Sequence, residues 1–119
     1  MSDVARITRA IAGHRYRYAS ESELQDGLAE VLAAAGVAFE REVQIGDAGR
    51  IDFLADGGVG LEVKVGGSLA AATRQLHRYA ASAEIEALVL VTGRGRLAAL
   101  PSTIGGKPLE VVDLSGGAL

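Results

Sequence analysis

The sequence contains no cysteine and no tryptophan, and aromatic residues make up only 4% of its 119 positions. The absence of cysteine excludes disulfide bonds, thiolate metal ligands and a cysteine nucleophile. Because rings are so few, aliphatic side chains must build the hydrophobic core. Basic residues are in slight deficit, with 12 Lys and Arg against 15 Asp and Glu, which excludes a protein that binds its partners through bulk positive charge.

Long apolar runs are also missing. No stretch approaches the roughly 20 residues that are needed to cross a bilayer, and the charged residues among the first 18 do not fit a signal peptide. We therefore expect a cytoplasmic protein with no membrane association. Hydrophobic residues at 49% and charged residues at 23% are typical of a globular chain, and the length predicts a single domain over residues 1–119.

Hydrophobic periodicity predicts an α/β fold. Three helices are expected to begin after the N-cap residues Ser2, Ser20 and Ser68, and Ser20 with Glu23 has the spacing of a capping box. A three-strand meander followed by a crossover helix and a buried fourth strand predicts a mixed central sheet flanked by helices. The predicted helices cover 3–12, about 21–35, about 69–81 and 96–100, and the predicted strands cover 39–45, 50–55, 59–65, 85–92 and 109–114.

The most informative residues are Asp52 and, ten positions later, the run Glu62-Val63-Lys64. Strand alternation places Glu62 and Lys64 on one face. If Asp52 lies opposite Glu62 on the adjacent antiparallel strand, two carboxylates and an ammonium group converge. The carboxylate oxygens suit Mg²⁺ or Mn²⁺ as ligands. The alternative is an exposed strand with a Glu–Lys pair and an unrelated aspartate.

The turn between these two strands decides which alternative applies. A three-residue loop, Asp56-Gly57-Gly58, places Asp52 opposite Glu62, whereas a two-residue Gly57-Gly58 turn places Asp52 opposite Val63, with its side chain on the wrong face. Glycine suits the left-handed backbone of either turn, so the chemistry of the turn allows both.

These residues resemble a known family. Asp52 with Glu62-Val63-Lys64 resembles the signature of the PD-(D/E)xK nuclease superfamily, although Ile51 stands where the family name has Pro. Gln75 and Tyr79 are similar to the Q-x-x-x-Y element of its RecB-like branch, and an acidic helix precedes the three strands, so the resemblance covers about residues 20–92. It implies a restriction-endonuclease-like αβββαβ core and a nuclease-like domain.

The resemblance also implies roles for individual residues. Asp52 and Glu62 are expected to bind the metal with the Val63 carbonyl, and Lys64 to act on the attacking water or on the scissile phosphate. A glutamate of the second helix is expected to complete the metal shell.

Two glutamates of that helix, Glu21 and Glu23, are candidates for this role. Glu21 shares a helix face with Leu24, whereas Glu23 fits the capping box better. On the crossover helix, Gln75 is expected to reach the site from the same face as Tyr79.

A second group of residues is expected to contact nucleic acid. Arg15, Tyr16 and Arg17 interleave cations with rings, a pattern that suits phosphate contacts and base stacking but also fits a solvated connector. Arg74 and Tyr79 on the crossover helix are expected to have the same role.

The sequence therefore predicts an Mg²⁺-dependent or Mn²⁺-dependent deoxyribonuclease that acts on DNA, as a homodimer or as a subunit of a larger nuclease assembly. A Holliday-junction resolvase is the alternative within the family, because those enzymes share this core and dimerise. Outside the family, the alternative is a non-catalytic module on the same fold that binds nucleic acid or protein.

Overall fold

A six-stranded mixed sheet forms the centre of the computed structural model, which describes residues 2–115. The strands lie in the order β1-β2-β3-β4-β6-β5. The first three form an antiparallel meander, β4 and β6 run parallel to β3, and β5 forms a short antiparallel pair with β6. The elements are α1 (Asp3–Ala12), α2 (Glu21–Ala34), β1 (Phe39–Gln44), β2 (Arg50–Ala55), β3 (Val59–Lys64), α3 (Leu69–Ala80), β4 (Ala87–Thr92), β5 (Thr103–Ile104) and β6 (Lys107–Asp113), with 3₁₀ turns at Asp56–Gly58 and Gly95–Ala99.

The α/β class and the mixed sheet flanked by helices are as predicted. The predicted elements are present with small shifts at their ends, except that the short helix expected at 96–100 is a 3₁₀ turn at Gly95–Ala99. The sequence pattern does not predict β5, because a strand of two residues is too short to show alternation. In the described part of the chain, no helix has both the length and the hydropathy of a membrane span.

Each long helix begins at a serine, as predicted. The hydroxyls of Ser2, Ser20 and Ser68 accept hydrogen bonds from backbone amides in the first turns of α1, α2 and α3. At α2 the Glu23 carboxylate accepts the amide of Ala19 at 3.1 Å, one residue earlier than the capping box predicts. Glu23 therefore caps the start of α2.

Two apolar layers cover the sheet, one on each face. Helices α1 and α2 pack on the face that carries Phe53, Leu61 and Val63, and α3 packs on the face that carries Leu88 and Leu90. Every residue of β4 is buried, as predicted for a strand that is covered on both faces.

The β2–β3 hairpin has the register that the candidate site needs. Ala55 pairs with Val59 and Phe53 with Leu61, so the connection is the three-residue loop. Gly57 and Gly58 have φ angles of 75° and 72°, a left-handed backbone that favours glycine. Asp52 and Glu62 therefore occupy facing positions, and the two-residue turn is excluded.

Candidate functional site

The ladder between β2 and β3 opens at the candidate site. Backbone pairing reaches Phe53 and Leu61 and ends before the next facing positions, Asp52 and Glu62. Asp52 Oδ2 accepts a hydrogen bond from the backbone amide of Val63 at 2.8 Å, and Glu62 Oε1 accepts one from the backbone amide of Asp52 at 3.1 Å. The two carboxylates thus take the place of ladder partners, and each one reaches across to the other strand.

A break in strand alternation explains the position of Asp52. Ile51 packs in the apolar layer under α3, whereas Phe53, two residues later, packs under α1 and α2. On the neighbouring strand β1, pairing skips Glu42, whose φ of 53° is left-handed. The strand therefore turns at Asp52, and its carboxylate lies between β2 and β3 rather than standing out from one face as predicted.

Burial dominates the electrostatics of the pair. Glu62 is only 3% exposed, and this burial, together with the nearby charge of Asp52, raises the pKa of its carboxyl to about 8. Burial also raises the pKa of Asp52. Lys64 opposes the shift, since its ammonium lies 3.9 Å from Glu62 Oε2. A divalent cation would stabilise the charged forms of both acids and displace their protons.

The donor set fits a hard cation that retains several waters. No cluster of three His, Asp or Glu side chains that could hold a metal is present within residues 2–115. However, Mg²⁺ is commonly held by one or two carboxylates plus waters and substrate phosphates. Asp52 Oδ1 and Glu62 Oε2 take no part in the two hydrogen bonds above, and Glu62 Oε2 lies 3.9 Å from the Lys64 ammonium, so a metal at these oxygens would lie beside Lys64. The amide of Val63 faces the same gap, and its carbonyl lies on the same side of the strand.

Of the two glutamates considered for the metal shell, Glu21 lies near the pair. It is the first residue of α2, it is half-buried, and its charge contributes to the raised pKa of Asp52. With Lys64 and Gln75 it lines a cavity of about 380 Å³. Glu23 caps the helix instead, and the role of Glu21 as a ligand stays a prediction.

On α3, Gln75 and Tyr79 are joined to each other and to the strand that carries Asp52. Gln75 Nε2 donates to Tyr79 Oη at 3.0 Å, and Tyr79 Oη donates to the carbonyl of Arg50 at 2.8 Å. Tyr79 is 0% exposed, so the prediction that it contacts nucleic acid is wrong. Its ring packs in the core, and its hydroxyl holds α3 against β2 and orients Gln75 at the cavity.

Replacing Tyr79 with phenylalanine tests this connection. The variant leaves the Arg50 carbonyl and the Gln75 amide without their partner, so we expect the free energy of unfolding to fall by about 1–3 kcal/mol. Urea denaturation measures this change. Tyr18→Phe is the matched control, since the Tyr18 hydroxyl forms no hydrogen bond with any side chain or backbone group that the structure describes. An equal loss in both variants would contradict the proposed connection.

The segment that connects α1 to α2 exposes Arg15 and Arg17 and packs Tyr16 against the fold. The Tyr16 hydroxyl donates to the carbonyl of Ile11 at 2.8 Å, and its ring lies against Gly27 of α2. Burial raises the pKa of Tyr16 to about 12. The stacking role predicted for Tyr16 does not fit this packing. Arg15 and Arg17 are exposed, so their phosphate contacts stay predictions.

Sequence reasoning did not single out Arg78, although it lines the same cavity as Lys64 and Gln75. A signal was present, because Arg78 follows Gln75 by three residues and a helix places such residues on one face. Arg74 is exposed on the same helix but does not line the cavity, and its nucleic-acid contact stays a prediction.

We compared the chain with protein-family models, curated proteins and solved structures. No protein-family model matches the chain, and no curated protein or solved structure matches it.

Proposed function

We propose that this protein is a metal-dependent nuclease that hydrolyses phosphodiester bonds of DNA. The observation that carries the proposal is the meeting of Asp52, Glu62 and Lys64 where the β2–β3 ladder opens. A buried carboxylate (Glu62) and a half-buried one (Asp52) beside an ammonium cost free energy of folding, since each charge loses hydration, and such costly groups are candidates for a functional purpose. Metal binding and phosphate chemistry provide that purpose.

Asp52 and Glu62 would hold the Mg²⁺ or Mn²⁺ ion, and the Val63 carbonyl is the third proposed ligand. When bound, the ion lowers the pKa of a water ligand and offsets charge on the phosphate. Lys64, which is about a quarter exposed and is directed by Glu62, donates to the attacking water or to a phosphate oxygen and stabilises the charge that develops there. Glu62 must release its proton before it can act as a ligand.

The order of elements also supports the proposal. Helix α2, strands β1 to β3, helix α3 and strand β4 follow one another in the αβββαβ order of a restriction-endonuclease-like core. We include that fold assignment in the proposal, with DNA as the substrate and a homodimer or a larger nuclease assembly as the working form.

A cleavage assay with three substrates tests the function. Plasmid, single-stranded and four-way-junction DNA are incubated with the purified protein in Mg²⁺, Mn²⁺, Ca²⁺ or EDTA. We expect cleavage with Mg²⁺ or Mn²⁺ and little with Ca²⁺, because the larger and looser Ca²⁺ shell positions water poorly. Light scattering on the same preparation distinguishes a homodimer from a single chain.

The outcomes separate the alternatives. Cleavage confined to the four-way junction would identify a resolvase. Binding of DNA without cleavage in any metal would favour the non-catalytic module, and hydrolysis that continues undiminished in excess EDTA would refute the metal mechanism.

A further inference from the structure

The cavity beside the candidate site has an unusual lining. It lies between the start of α2, the end of β3 and α3, and its volume is about 380 Å³. Two of its residues carry positive charge and one carries negative charge, and most of the others are glycine, serine or alanine. The lining residues are Glu21, Lys64, Gly66, Gly67, Ser68, Ala71, Ala72, Gln75 and Arg78. We call this cavity the recess.

The two cations of the recess differ in their surroundings. Lys64 lies next to Glu62 and belongs to the proposed reaction centre. Arg78 is exposed, and it forms no salt bridge in the described chain. Arg78 nevertheless lines the recess together with Lys64 and Gln75. A free guanidinium one helical turn beyond Gln75 therefore faces the same space as the reaction centre.

We propose that Arg78 binds the phosphate next to the one that is cleaved, so that the recess holds the sugar-phosphate backbone without reading a base. This inference rests on the proposed nuclease function. The planar guanidinium offers two parallel donors to a phosphate, which an ammonium does not. The glycine and alanine residues of the recess leave room for the backbone and offer no side-chain group to base edges, so Ser68 and Gln75 are the only uncharged lining residues that carry such a group.

Binding and cleavage by two arginine variants test the inference. Labelled DNA of random sequence is titrated in Ca²⁺ at several salt concentrations, and cleavage positions are mapped in Mg²⁺. We expect Arg78→Ala to weaken binding roughly 10-fold and to lower the slope of log affinity against log salt by about 1. Arg78→Lys keeps the charge and therefore most of the slope, but it loses the paired donors and part of the affinity.

Arg9→Ala is the matched control, because Arg9 is exposed on α1, on the opposite face of the sheet, and loses the same charge. We expect it to bind and cleave DNA as the wild type does. Mapped cleavage by the wild type should show no preferred base at the cut step.

Different results would contradict the Arg78 proposal and the nuclease proposal. If the wild type cleaves DNA and the Arg78 and Arg9 variants bind it equally well, the phosphate role is wrong while the nuclease function stands. A base preference that disappears in Arg78→Ala would mean that Arg78 reads a base, which also overturns the inference. If the wild type binds DNA through Arg78 but cleaves none, the nuclease proposal fails and the phosphate contact survives in another context.

Discussion

Asp52→Asn or Glu62→Gln is expected to lower the rate of Mg²⁺-dependent DNA cleavage by roughly 10²–10⁴-fold. Each substitution keeps the size of the side chain and removes one anionic ligand. The side-chain amide oxygen that Asp52→Asn introduces can still accept the backbone amide of Val63, so the hairpin should remain folded. The loss therefore reports on the chemistry rather than on the fold, and initial rates on a fluorescent DNA substrate measure it.

Lys64 provides the contrast within the same site. Lys64→Ala should lower cleavage to a similar extent but leave metal binding largely intact, since a cation is not a ligand for a cation. Calorimetric titration with Mn²⁺ separates the two classes: Asp52→Asn and Glu62→Gln lose metal affinity, and Lys64→Ala does not. Glu110→Gln, at an exposed position on β6, controls for the loss of one negative charge. Wild-type rates in the Asp52 and Glu62 variants would refute the metal site.

The residues of the turn alone do not decide the register of the β2–β3 hairpin. Gly57 and Gly58 allow both loops, because each loop needs a left-handed residue. Packing decides, since the three-residue loop pairs Phe53 with Leu61 and keeps both on one apolar face. The shorter turn would pair Phe53 with Glu62 instead. This pairing rule was available in the sequence and selects the register that the structure has.

The burial of Tyr79 was also within reach of the sequence. Ala72, Leu76, Tyr79 and Ala80 have the spacing of one helix face, and all four are buried. Reading Tyr79 as part of the Q-x-x-x-Y element directed attention to function and away from this periodicity. The cap residue Ser68 located the helix, whereas the role taken from the resemblance placed the buried Tyr79 on a surface that contacts nucleic acid.

Other features depend on contacts between distant parts of the chain. The turn of β2 at Asp52 accompanies the left-handed backbone of Glu42, and no local pattern marks either residue. The recess likewise arises only when α2, β3 and α3 come together, so Arg78 could be placed on a helix face but not beside Lys64. Strand pairing and helix docking, rather than local propensity, create these parts of the site.

Without metal, the protein is expected to lose stability as the pH rises from about 4.5 to about 8. In the folded chain the pKa of Glu62 is raised from 4.5 to about 8, chiefly by burial and then by the charge of Asp52. The charge of Lys64 opposes this rise. Between these values the folded state holds a proton that the unfolded state has released, so the free energy of unfolding falls with pH. The raised pKa of Asp52, to which Glu21 contributes, acts in the same direction.

The size of this effect is on the order of a few kcal/mol, since each pKa unit corresponds to about 1.4 kcal/mol. Urea denaturation in EDTA at pH 5, 6, 7 and 8 measures it, and the difference between wild type and Glu62→Gln cancels the titration of groups outside the Asp52–Glu62 pair. We expect Glu62→Gln to remove most of the pH dependence and to be the more stable protein at pH 8, whereas the control Glu110→Gln keeps the wild-type slope.

Magnesium links this stability to the proposed function. If the ion binds the deprotonated pair as proposed, its affinity should increase with pH up to about 8, and the rise in Tm that it causes should grow over the same interval. Thermal melts of wild type and Glu62→Gln at fixed Mg²⁺ concentration measure this coupling at pH 6, 7 and 8. In Glu62→Gln the rise in Tm should be small at every pH, because one of the two anionic ligands is gone. A magnesium-induced rise that is independent of pH, or one that is unchanged in Glu62→Gln, would show that the ion binds elsewhere and that the Asp52–Glu62 pair is not its site.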